Sequence, residues 1–377
     1  MRFENVSFFA DGAFRTGSVE IKDGRICAVQ EYDCIPEKFL LPGLIDLHFH
    51  GNSGADFSDG DYEGLKKIAR YHAQHGVTRF SPASMTLPEA DILKACCTAA
   101  RLKDEEPAGC AKICGITMEG PFFSEKKKGA QAAEHLRLPD IAMVERVNQA
   151  SGGLLKIVCV APELEGALAF IREAAKTAVV SLAHTDANYE EAAAAYEAGA
   201  RHTTHLFNAM PPFLHREPGV IGAAAEKENV TVELISDGVH LHPSTVRLAF
   251  RLFGAHRICL ISDSMSACGM PDGKYFLGGQ EVFVTGNRAT LADGTIAGSA
   301  TPLFTCMKKA MEFGIAPEEA IEAASLTPAR VLGMEKDFGS VAVGKVADIL
   351  VSSCWMFWSL VQENILRSSA VFCRLAG

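Results

Sequence analysis

From Pro42 onward, short apolar runs alternate with stretches whose apolar residues recur every three or four positions. The runs are "GLIDLHFH" (43–50), "VTRFSPAS" (77–84), "KICGITME" (112–119), "LKIVCVAPE" (155–163), "AVVSLAH" (178–184), "ARHTTHLF" (200–207), "VTVELISDGVH" (230–240) and "ICLISD" (258–263). Runs of this length read as strands, and intervening stretches such as "YEGLKKIARYHAQHG" and "HPSTVRLAFRLFG" read as amphipathic helices. Strand–helix alternation implies parallel strands joined by crossover helices. Eight such strands, most followed by a helix, predict an α/β chain folded as a (β/α)8 TIM-like barrel rather than an open sheet.

The flanks follow a different rhythm. The first 40 residues alternate apolar and polar positions between Gly-containing turns, the pattern of short antiparallel strands. After the eighth run come a hairpin-like stretch, "KYFLGGQEVFVTGNRATLADGTIAG", and two helical stretches, "TPLFTCMKKAMEFG" and "APEEAIEAASLTPARVLG". The segment "GSVAVGKVADILV" returns to strand chemistry and is expected to pair with the N-terminal strands. The expected organisation is therefore a barrel over 43–335 and a small β domain split between 1–42 and 336–377.

Composition narrows the class. A chain of 377 residues with 48% hydrophobic and 22% charged residues has room for one large core. The start lacks the basic region, apolar segment and cleavage site of a secretory signal, and no 18-residue uncharged apolar run occurs, so a cytoplasmic protein is expected. The 12 cysteines are scattered without a CxxC pair, which reads as reduced, mostly buried thiols. A net charge of −10 argues against nucleic acid or an anionic membrane as the main partner. A small anion held by a few backbone amides and an arginine remains compatible with that charge.

Metal-competent side chains collect where the predicted strands finish. His48 and His50 close the first, Glu119 the third, His184 the fifth, His205 the sixth and Asp263 the eighth. In such a barrel the strand C-termini share one mouth, and catalytic groups gather there. At ~3.3 Å per residue, alternate residues of a strand stand roughly 6.6 Å apart on one face, so His48 and His50 can lean toward one point. Imidazoles with a carboxylate make a zinc-type set that leaves a position open for water. Bound there, a metal lowers the pKa of water from 15.7 to about 7. Asp263 is then the natural proton carrier between water and leaving group, a combination suited to amide or ester hydrolysis. Taken singly, each residue also has a plain structural role: Glu119 and Asp263 could cap loops, and a lone buried histidine is more often hydrogen-bonded core than ligand. His72, His75 and His202 are assigned such structural places.

With these residues placed, the chain resembles the N-acetylglucosamine-6-phosphate deacetylases of the amidohydrolase superfamily, over about residues 20 to 350. The resemblance is carried by "PGLIDLHFHG", "MEGPFF" with "KKGAQ", "HLFNAM" followed by "REPG", "SDGVHLHP" and "LISDSMSACG", in that order. It implies a barrel with a small β-sandwich. It also implies hydrolysis of the acetamide of a 6-phosphorylated N-acetylamino sugar to the amino sugar phosphate and acetate. Glu119, His184 and His205 match the family's metal ligands and Asp263 its acid/base. Asn208 and Ala209 match positions whose backbone amides hold the phosphate, Arg216 matches an arginine that joins them on the phosphate in its own chain's site or the neighbouring subunit's, and His240 matches a sugar contact. A homodimer and a divalent metal follow from the resemblance: zinc first, with iron, manganese or cobalt as ions such ligands accept.

Two places, one of them a pair of residues, vary within the family. Gln131 stands where some members carry a histidine that polarises the acetyl carbonyl, so its expected role is carbonyl orientation. His48 and His50 place the chain with members able to hold a second metal ion beside the first, with Glu119 between them. After "GKVADILV" the tail departs from the family pattern and clusters both tryptophans, Trp355 and Trp358. Competing expectations are the galactosamine epimer as substrate and a sugar-phosphate-binding regulator that keeps a structural metal. A cyclic-amide hydrolase would need a carboxylated lysine at the end of strand four, and the candidate, Lys156, starts its strand instead.

Overall fold

The computed structural model describes residues 1–352; the divergent tail, with Trp355 and Trp358, lies outside the described residues. The N-terminal strands Arg2–Ala10, Ala13–Lys22 and Arg25–Glu31 are antiparallel neighbours. Each connection is a two-residue Asp-Gly turn, Asp11–Gly12 and Asp23–Gly24, with all four residues at positive φ. That is the turn whose twist matches paired strands, and Gly adopts it without Cβ strain. Lys38–Pro42 adds to this sheet in parallel, and Ile349–Ser352 closes its edge in antiparallel register, Leu350 opposite Leu41. The sheet thus joins both ends of the described chain. Val6, Phe8, Val19, Ile26, Leu40, Val341 and Ile349 form its apolar face.

The main body is a curled parallel sheet wrapped by helices. Its strands lie at Leu44–Asp46, Val77–Phe80 continuing to Ala83–Ser84, Lys112–Ile113 continuing to Ile116–Met118, Leu155–Val160, Val179–Leu182, His202–Thr203, Thr231–Leu234 and Ile258–Leu260. Neighbours in this series pair in parallel throughout. Its two ends meet just beyond the strands: the Asp263 amide donates to His48 O at 3.0 Å and the His50 amide to Ser264 O at 2.7 Å. The strands are nearly all buried because helices cover the outer face, which is why they read as apolar runs.

The structure refines several predicted elements. The second strand breaks at Ser81–Pro82, where proline has no N–H to give the ladder, and the third breaks at Cys114–Gly115. Helices Ile141–Ala150 and Gly219–Glu226 were not anticipated; the second is apolar around most of its circumference, with six of its eight residues buried, so it lacks the polar stripe that marks a helix. The stretch 316–333 forms two helices, Pro317–Ala324 and Leu326–Val331. Pro328 fits only the first turn of a helix, so the chain must restart just before it. The hairpin-like stretch is a three-stranded antiparallel sheet, Gly273–Leu277, Gln280–Thr285 and Arg288–Thr290. No disulfide joins the described cysteines, seven of which are buried. No described helix is long and apolar enough to cross a membrane.

Candidate active site

Every predicted ligand lies just past the C-terminal end of its strand. Glu119 follows Ile116–Met118 directly, His184 and His205 sit two residues beyond Val179–Leu182 and His202–Thr203, and Asp263 three beyond Ile258–Leu260. His184, His205 and Asp263 have φ of 44°, 30° and 45°. Left-handed backbone is costly for residues with a Cβ, and such residues cluster where a site over-determines them. Here the left-handed step turns each side chain from the strand direction into the mouth.

Glu119 stands at the centre. Its Oε1 lies 3.2 Å from His184 Nε2, 3.1 Å from His205 Nε2 and 3.4 Å from His48 Nε2, and its Oε2 lies 3.4 Å from His50 Nε2. Asp263 Oδ1 approaches His50 Nε2 at 3.3 Å and His48 Nε2 at 3.8 Å. The donor atoms resolve into two buried groups, Glu119–His184–His205 and His48–His50–Asp263, each with its atoms within 4.8 Å of one another. Burial alone would raise the Glu119 carboxyl, but the imidazoles of His48, His184 and His205 hold it well below the ordinary value. Burial likewise works against the Asp263 carboxylate, and the His50 hydrogen bond with the nearby imidazole charge keeps it lowered.

The outward ring nitrogens test whether these groups suit a cation. His50 Nδ1 faces Ala83 O at 3.2 Å and His184 Nδ1 faces Lys127 O at 3.0 Å. A carbonyl only accepts, so both Nδ1 atoms carry the proton. His48 Nδ1 faces Glu233 Oε2 at 2.9 Å; His48 and His202 overcome burial to hold that carboxyl at about 2, so it too accepts. All three imidazoles therefore anchor their Nδ1–H outward and turn Nε2 inward, and His48 Nε2 has no hydrogen-bond partner. The His184 and His205 Nε2 atoms stand only 3.1 Å apart beside the carboxylate. Buried lone pairs converging in this way fit a divalent metal.

The donors open onto a cavity of about 370 Å³ lined by His50, Glu119, Gln131, His184, His205, Asn208, Ala209, His240 and Asp263. His48 lies behind this wall, fully buried. A larger depression, about 940 Å³, sits against the terminal sheet and holds none of these groups. Gln131 spends its carboxamide on the site: Nε2 donates to Glu119 Oε2 at 2.9 Å and Oε1 accepts the Thr86 amide at 2.7 Å. The Asn208 amide is engaged by His205 O at 2.9 Å, whereas among the described residues the Ala209 amide has no partner. His240 Nδ1 is held by Asp237 Oδ2 at 2.8 Å, which leaves Nε2 for a ligand. Arg216 is not brought to this cavity; it is exposed in a separate depression beside Asn188, Tyr189 and Glu226.

With this geometry in place, the comparisons with known proteins are decisive. The Amidohydrolase family model matches residues 39–359. The N-acetylglucosamine-6-phosphate deacetylase of Bacillus subtilis is 38% identical over 367 residues, 93% of each chain. The chain belongs to this family. An N-acetylgalactosamine-6-phosphate deacetylase of Escherichia coli O157:H7 is 37% identical, covering 88% of this chain and 89% of its own. Among solved structures, the N-acetylglucosamine-6-phosphate deacetylase of Thermotoga maritima superposes with a TM-score of 0.85 at 32% identity, covering 93% of this chain and 94% of its own. An Asp→Ala mutant of the Mycobacterium smegmatis enzyme in complex with N-acetyl-D-glucosamine-6-phosphate gives 0.82 at 32%, covering 93% and 95%.

Within this amidohydrolase chain, the sequence reading missed Glu233, Asp237 as the anchor of His240, and Lys126 and Lys127 on the cavity wall. Glu233 had left a signal: it is a carboxylate inside the otherwise apolar run "VTVELI" on a strand buried on both faces. His202, read as structural, bonds that same carboxylate through Nε2 at 3.1 Å.

Proposed function

We propose that the chain hydrolyses the acetamide of N-acetyl-D-glucosamine 6-phosphate to D-glucosamine 6-phosphate and acetate. One observation carries this reading: the Asp263 carboxylate lines the same cavity as the Glu119–His184–His205 group, beside His50. A divalent cation held by these ligands supplies a Lewis acid that acidifies water and polarises a carbonyl. Asp263 takes a proton from the attacking water as its oxygen bonds to the acetyl carbon. It then delivers that proton to the sugar nitrogen as the C–N bond breaks, releasing acetate and the amine. Gln131 fixes Glu119 with one N–H and offers the other to the acetyl oxygen, while His240, aligned by Asp237, meets the sugar.

The phosphate is assigned to the Ala209 amide, with Asn208 beside it, and to Arg216 from a partner subunit. That assignment accords with Arg216 standing outside its own chain's cavity. On this reading the enzyme is a cytoplasmic zinc-dependent homodimer. The parallel series forms a closed (β/α)8 barrel over 43–335, and the terminal sheet belongs to a small β-sandwich of 1–42 and 336–352, the rest of the range expected to 377 lying outside the described residues. The test is acetate release by the metal-loaded chain from the gluco and galacto 6-phosphates and from N-acetylglucosamine itself. Turnover is expected from the gluco phosphate and not from the unphosphorylated sugar. Faster turnover of the galacto phosphate reassigns the substrate, and no acetate from either after loading with zinc, iron, manganese or cobalt makes the chain a binder.

A further inference from the structure

Glu233 is wholly buried, and its charge is compensated by three hydrogen bonds: from His48 Nδ1 at 2.9 Å, His202 Nε2 at 3.1 Å and the His205 amide at 3.1 Å. Among the described residues it is the one carboxylate that meets the outward ring nitrogen of a ligand histidine. His50 and His184 rest their Nδ1 atoms on neutral backbone carbonyls, and His205 Nδ1 has no partner. A carboxylate behind an imidazole fixes its tautomer and orientation and makes it a more basic ligand, and losing such a partner typically costs 10–100-fold in metal affinity. The His48–His50–Asp263 group has one carboxylate of its own, and Glu233 adds a second negative charge without occupying a ligand position.

We propose that Glu233 is a positioning residue that, through His48, makes the His48–His50–Asp263 group a cation site distinct in affinity from the Glu119–His184–His205 group. The inference rests on the metal-dependent reading of the cavity, but not on its substrate. Glu233 also holds the backbone of His205, a member of the other group, so a purely structural role would disturb both groups together. A charge and tautomer role acts mainly on His48. Glu233→Gln separates the two, because its carboxamide oxygen still accepts from His48 and the His205 amide while the negative charge is lost.

The metal-free chain and its Glu233→Gln variant are titrated with Co²⁺. Ions per chain are counted after gel filtration, and the visible cobalt absorption is followed as each ion enters. We expect two ions in the wild type. In the variant the weaker one should bind 10–100-fold less tightly, with its absorption step displaced accordingly, and the tighter one should change less than threefold. Two ions with unchanged affinities in the variant overturn the proposal, as does a single ion in the wild type. A parallel fall of both affinities with a lower melting temperature of the metal-free variant assigns Glu233 to structure alone and also overturns it. Should the variant fail to fold, nitrogen-15 histidine spectra of the zinc-loaded wild type decide: a His48 Nδ1 without a proton sinks the idea. A wild type that releases no acetate, yet whose variant loses the second ion, refutes the proposed activity and leaves this inference standing.

Discussion

Replacing Asp263 by Asn changes one oxygen for an NH2 and should separate proton transfer from everything else the residue does. Its backbone is held independently of the side chain: the amide donates to His48 O at 3.0 Å and the carbonyl accepts from Ser299 N at 2.7 Å. Its φ of 45° is one that Asn adopts as readily as Asp. The fold should therefore lose at most about 1 kcal/mol, the scale of one altered hydrogen bond, that to His50 Nε2 at 3.3 Å. Catalysis should lose far more. Each proton transfer by a positioned group contributes roughly 10²- to 10⁴-fold, and here one atom serves both the water and the leaving nitrogen. We expect kcat to fall by at least 10³-fold, about 4 kcal/mol in barrier height, with substrate affinity by calorimetry within threefold of wild type. Metal content is measured alongside, because Asp263 also belongs to a ligand group. A variant that keeps its metal and turns over at more than a tenth of the wild-type rate refutes the acid/base assignment. One that loses metal in step with activity makes Asp263 a ligand first.

Other outcomes follow from the same geometry. His72 is buried between Phe49 and Phe80 with Nε2 unpartnered, and burial lowers its pKa to about 3. Below pH 6.5 the unfolded chain binds a proton that the folded chain refuses, so stability falls with pH. From pH 7.5 to 5 urea unfolding should show the wild type losing about 2 kcal/mol more than His72→Phe, and equal losses would refute the burial argument. Gly120 has φ of 101°, and a Cβ there would stand 2.1 Å from Thr86 Oγ1, so Gly120→Ala should cost about 1–3 kcal/mol and lower turnover by displacing Glu119. Gly24→Ala, at φ of 71° with nothing within 4 Å, should cost only the left-handed strain, roughly 1–2 kcal/mol, and leave turnover unchanged; activity assays beside urea curves check the contrast. Chelation should abolish acetate release and lower the melting temperature, with both restored by a divalent ion, since a ligand at ~1,000 times its Kd stabilises by about 4 kcal/mol.

The sequence was most informative where one residue type answers one physical demand. Buried parallel strands must be apolar, so the eight runs stood out, and polar residues ending them, Glu119, His184, His205 and Asp263, were conspicuous by contrast. The two-residue spacing of His48 and His50 suggested a shared direction on one strand. In the structure they lie beyond the strand end, their ring centroids 5.6 Å apart. The convergence was legible although its local cause was not. Glu233 was hidden because its partners, His48 and His202, are 185 and 31 residues away, a pairing that only strand order reveals. Gln131 was legible as a site residue, but its commitment to Glu119 and the Thr86 amide depends on loop geometry that no local pattern encodes.

The terminal sheet has a consequence for the chain's birth. Lys38–Pro42 is made early, yet its antiparallel neighbour, Ile349–Ser352, leaves the ribosome only after some three hundred further residues. At 5–20 residues per second that wait is on the order of 15 to 60 s, during which an apolar strand edge stands open. Nascent chains stalled before residue 349 should therefore be the ones that chaperones hold and proteases cut, whatever the state of the sheet that carries the chemistry.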